Sequence, residues 1–67
     1  MKRKSLANLI DEALKVGRSY KVFIEGKKPF VGTYEGVYDG AIEFARGVKR
    51  IRRVSINPNE IELIKEV

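Results

Sequence analysis

Cysteine, histidine, tryptophan and glutamine are all absent from this 67-residue chain, and proline occurs only twice. Without cysteine there is no disulfide. Without cysteine and histidine, the usual zinc and soft-metal ligand sets and the Cys/His nucleophiles are missing together. A catalytic residue, a metal site and a cofactor are therefore not expected. Long apolar runs are lacking too: Leu9-Ile10 and the stretch from Tyr20 to Ile24, broken by Lys21, fall far short of the roughly 20 residues that a membrane-spanning helix needs. Met1-Lys2-Arg3-Lys4 has the charge of a secretion-signal start, but Asp11 and Glu12 interrupt any apolar core behind it, so a cytoplasmic protein with no membrane partner is expected.

What is present is charge. Fourteen Lys and Arg oppose nine Asp and Glu, a net charge of +5. Abundant Lys, Arg, Glu, Ile and Val, with no glutamine or cysteine, match the bias associated with proteins of hyperthermophiles. A chain of this length buries only about 60% of its unfolded surface. That leaves room for one domain, without a deep cleft, for which self-association is a natural supplement. Residues 1–4 read as a basic arm and 5–67 as the domain.

Ser5 is a helix cap, Leu6, Leu9, Ile10, Ala13 and Leu14 recur at helical spacing, and Gly17 is a left-handed stop, which predicts an amphipathic helix over 5–16. Its apolar stripe suits a lid on the domain, or otherwise a partner surface. From Ser19 the period changes to two, with Tyr20, Val22 and Ile24 on one side of a half-buried strand. Gly26-Lys27-Lys28-Pro29 breaks it. Residues 30–38 form a second strand in which Gly32 and Gly36 mark a bulge, a bend or a close approach. Asp39-Gly40 is a tight hairpin turn, since these residues most readily supply positive φ. A third strand is predicted over 41–45, and a fourth over 48–56 after Arg46-Gly47, broken or bulged near Ile51. Asn57-Pro58-Asn59 ends it, and 61–67 forms a fifth strand with Leu63 and Val67 alternating against charged neighbours. The expected fold is mainly β: an N-terminal helix followed by a five-stranded, strongly bent antiparallel small barrel.

Val22-x-Ile24, the run Phe30-Val31-Gly32-Thr33-Tyr34-Glu35-Gly36 and the Asp39 that follows resemble the first Sm motif of the Sm-like and Hfq proteins. Ile51-Arg52-Arg53-Val54-Ser55-Ile56 is similar to their second motif, and the likeness spans roughly residues 6–64. It implies a small SH3-like barrel, assembly into a hexameric or heptameric ring, and single-stranded RNA as the partner. The chain departs from the family at Gly40-Ala41-Ile42-Glu43, where the uridine-pocket asparagine is absent, and at Arg53, which stands where the family has glycine. Gly26 lies one place early, and Asn57-Pro58-Asn59 is an insertion ahead of the strand that joins family members into rings.

The densest charge lies at Arg46, Lys49, Arg50, Arg52 and Arg53, five cations within eight residues, and no acid stands between Glu43 and Glu60. Such a stripe neutralises phosphates by counterion release, and arginine adds forked donors. The bland alternative is an edge strand kept from aggregating by its charges. Lys2, Arg3 and Lys4 form a second basic group. Phe23, facing away from Val22 and Ile24, and Tyr38, beside Asp39, are the candidate stacking platforms for unpaired bases. Glu25, Glu35, Asp39 and Glu43 are spread over separate strands with no local pairing for acid–base work. Two other functions compete: a monomeric or dimeric SH3-like barrel binding duplex DNA, as small archaeal chromatin proteins do, and a protein-interaction module whose charges maintain solubility.

Overall fold

The computed structural model describes residues 5–67, so the basic arm at Lys2, Arg3 and Lys4 lies outside the described residues. Its elements are helix α1 (Leu6–Ala13), strands β1 (Ser19–Ile24), β2 (Phe30–Tyr38), β3 (Ala41–Arg46) and β4 (Arg52–Ile56), a short 3₁₀ helix (Pro58–Glu60) and strand β5 (Ile61–Glu66). The protein is mainly β, one helix leading into a five-stranded antiparallel sheet of order β4-β3-β2-β1-β5.

Ser5 caps α1 as its sequence suggests, its hydroxyl accepting from the Asn8 amide at 3.2 Å. The helix ends at Ala13 rather than at residue 16, because tertiary partners take the backbone groups that another turn would use. Leu14 is already extended. The Lys15 amide donates to the Tyr20 hydroxyl at 2.9 Å, the Gly17 amide to the Tyr34 carbonyl at 3.0 Å, and the Tyr34 amide to the Arg18 carbonyl at 2.9 Å. Gly17, at φ 90°, serves a turn from Lys15 to Arg18 and not a helix stop. The packed face of α1 is also shifted: Ala7 is buried and Ile10 and Leu14 pack on the core, whereas Leu6 and Leu9 are about half exposed.

Strict alternation holds in β1, where Tyr20, Val22 and Ile24 point inward. Strand β2 keeps the predicted bounds and carries the predicted irregularity. Tyr34 faces Phe44 and Gly36 faces Glu43, which leaves Glu35 as a bulge beside a glycine at φ 132°. At Gly32 the strands come close: an added Cβ would meet the Phe44 Cβ at 3.1 Å and the Ala45 carbonyl at 3.2 Å. The Asp39-Gly40 hairpin is as read, with φ of 50° and 76° closing the Tyr38–Ala41 pair.

Two strands differ from expectation. Residues 47–51 are a loop and β4 starts only at Arg52, paired with Arg46. In β5 it is Ile61 and Ile64 that pack inward, while Leu63 faces out opposite Phe23. A register shift between Phe23 and Ile24 absorbs Glu62 and flips the alternation.

The sheet does not close. Among the described residues, strand β4 pairs only with β3 and β5 only with β1, the chain leaving Ile56 through the 3₁₀ helix rather than a hairpin. Side chains span the gap instead: Val54 and Ile56 from one edge and Ile61 and Ile64 from the other meet the same core. Its centre is Tyr34, Phe44, Ile42 and Val22, all fully buried, with Phe44 edge-on to Phe30 at 5.9 Å and tilted against Tyr34 at 5.6 Å.

Tyr34 also donates its hydroxyl to Asp11 Oδ1 at 2.5 Å, joining sheet to helix. Burial first, then the hydrogen bond to Asp11 and its negative charge, push the Tyr34 hydroxyl well above its ordinary value of 10.0. The folded protein therefore keeps this proton while the unfolded chain loses it, so the stabilisation is fully present below the ordinary value and is lost as pH rises beyond it. Urea denaturation of Tyr34→Phe is expected to show a loss of about 1 to 2 kcal/mol at neutral pH. The gap to the parent narrows from about pH 10 upward.

Candidate nucleic-acid interface

Strands β3 and β4 and the loop 47–51 between them collect the predicted cations at one end of the sheet. Arg46 ends β3, Lys49 and Arg50 lie in the loop, and Arg52 and Arg53 open β4; all five are exposed. Arg46 and Arg52 stand directly opposite each other and share a face, an arrangement of like charges that costs stability unless an anion screens it. Arg53 is opposite Ala45. Among the described residues, none of the five forms an ion pair with a carboxylate.

One of them is anchored. The Arg46 guanidinium lies 4.7 Å over the ring of Phe30, itself buried in the core. Phe30 reaches this position because Gly32 has no side chain, the ring packing within 3.3 Å of where a Cβ would be. Arg46, Gly47, Arg50, Arg52, Arg53 and Val54 line an open cavity of about 490 Å³ to which no acid among the described residues contributes. Gly47, at φ 100°, lets the loop fold back, since the Arg50 carbonyl occupies the space a side chain would need. The same loop presents Val48 and Ile51 to solvent.

The other candidates lie elsewhere. Tyr38 and Asp39 are exposed at the opposite end of the β2–β3 hairpin, roughly 17 Å from Arg46 along β3 at the usual strand rise. Tyr38 leans over Gly36, within 3.5 Å of where a Cβ would be. Phe23 is half-buried on the outer face of β1, with the Lys21 ammonium 5.4 Å and the Lys65 ammonium 5.9 Å from its ring centre. Lys65 carries no signal in the sequence, because it meets Lys21 and Phe23 only through the β1–β5 register. The cavity itself was equally invisible, although Gly47 inside a basic run hinted at a turn. Glu43 accepts from the Ser55 hydroxyl at 2.6 Å. Among the described residues no three Asp or Glu side chains gather in a way that could hold a metal ion, and no helix is long and apolar enough to cross a membrane.

No family model matches this chain, and no curated protein or solved structure does either.

If the left-handed backbone at Gly47 shapes the cavity, Gly47→Ala is expected to lower stability by about 1 to 2 kcal/mol in urea denaturation, since a side chain there is strained. An unchanged midpoint would show that the loop rearranges freely.

Proposed function

We propose that this protein is a non-enzymatic, single-stranded RNA-binding module of Sm-like small-barrel architecture that works as a ring of identical subunits, a hexamer or a heptamer. The observation that carries this reading is the group of exposed cations at Arg46, Lys49, Arg50, Arg52 and Arg53 without a carboxylate partner among the described residues. Unpaired arginines concentrated at one loop repel each other, and a phosphate backbone relieves that repulsion while releasing its own counterions. Phe23 between Lys21 and Lys65 adds an outer-face aromatic on which a base can stack.

The Sm-like reading is supported by the order of elements, a short helix ahead of a four-stranded meander whose second strand bends at a glycine, with β5 returning to pair with β1. Ring assembly is supported by the two unpaired sheet edges. Strand β4 carries Arg52 and Arg53, and β5 carries Glu62, so that the edges of successive copies can meet head to tail with opposite charge at that position. Beside β5, an apolar groove of about 350 Å³ lined by Leu6, Ile10, Leu14, Pro58, Ile61 and Ile64 leaves surface that a neighbouring copy would cover.

Fluorescence anisotropy with oligouridine, oligoadenine and duplex DNA tests the reading. Single strands are expected to bind in preference, with log affinity falling linearly with log salt. Replacing Arg52 and Arg53 together by Gln should make that slope shallower by roughly 1.4 for single strands, one increment per lost phosphate contact. Affinity drops at least about tenfold, while the thermal unfolding midpoint moves little. A monomer in native mass spectrometry that prefers duplex DNA would support the chromatin-type alternative instead. No binding to any of the three at about 50 mM salt would leave a protein-interaction module.

A further inference from the structure

We infer that the arginine-lined cavity holds the 5′-triphosphate end of an RNA strand and not an internal phosphodiester. The inference rests on the nucleic-acid reading of the same cluster and goes beyond it by naming the chemical group. Four arginines line one cavity, among them the cross-strand pair Arg46 and Arg52, and among the described residues no acid lines it with them. An internal phosphodiester brings one negative charge, and the next lies a whole nucleotide away. A terminal triphosphate brings several charges on adjacent phosphoryl groups, so a single compact ligand offsets the repulsion that the strand register builds in.

Size and surroundings agree with this. At about 490 Å³ the cavity exceeds what a lone phosphate fills and falls within the usual range for small-ligand sites, roughly 300 to 1,000 Å³. Stacking over Phe30 holds the Arg46 guanidinium in place, and Gly47 lets the Arg50 carbonyl tuck into the loop, so part of the site is ordered before any ligand arrives. Val48 and Ile51, 98% and 70% exposed on the same loop, are apolar surface for the first nucleoside. That surface separates an RNA end from inorganic triphosphate, which shares the linear chain of phosphoryl groups but has no nucleoside to cover it.

The test compares one short single-stranded RNA carrying a 5′-triphosphate, a 5′-monophosphate or a 5′-hydroxyl, each labelled at the 3′ end, by anisotropy at about 100 mM salt. Inorganic tripolyphosphate serves as competitor. The 5′-triphosphate RNA is expected to bind at least about tenfold more tightly than the 5′-hydroxyl RNA. Arg50→Gln, in an exposed loop and checked for folding by circular dichroism, should abolish that preference while lowering 5′-hydroxyl binding much less. Equal affinity for the three ends would overturn the inference and leave the RNA-binding reading standing. Failure of all three to bind would overturn both. Tripolyphosphate binding as tightly as the triphosphate RNA would overturn the assignment to an RNA end.

Discussion

Tyr34 is the residue on which the other parts hang. Its ring fills the middle of the core against Phe44, its hydroxyl reaches Asp11 on the helix, and its own amide and carbonyl hold Arg18 and Gly17 at the turn leading into β1. One residue, through side chain and backbone, thereby joins sheet, helix and connecting turn. The tie has a cost in local structure, because the helix gives up its last turn so that the Lys15 and Gly17 amides can reach Tyr20 and Tyr34. In a chain this small, a few such links decide where every element stops.

From Tyr34 the path to the cationic loop is short. The bulge at Glu35 and the close approach at Gly32 set the course of β2, and Gly32 leaves room for Phe30 beside Phe44. Phe30 then becomes the shelf for Arg46, and the register of β3 with β4 brings Arg52 opposite it. The concentration of positive charge therefore follows from core packing. Among the described residues no carboxylate lines the cavity to neutralise it.

Much of this was legible from residue order. The Ser5 cap, the bounds of β2, the Asp39-Gly40 hairpin and the inward set Tyr20, Val22 and Ile24 are local signals, and local geometry decided them. What failed depended on distant partners. The helix end is settled by bonds to β1 and β2. The inward face of β5 is set by a one-residue bulge, so Ile61 and Ile64 replaced Leu63 and Val67 as its core contacts. Residues 48–51 look like strand by composition, yet they continue the turn at Gly47 as a loop, and β4 starts only at Arg52. The basic cluster was visible as a run, but its joining into one cavity needed the β3–β4 register.

Nucleic acid is proposed to bind at this loop. Amide chemical-shift mapping of the labelled protein, titrated with a short single-stranded oligouridine, tests it most directly. The largest shifts are expected on residues 46–54, with smaller ones near Phe23 and little change along α1. Shifts centred on Tyr38 and Asp39, or on α1 and β5 with 46–54 unmoved, would contradict it.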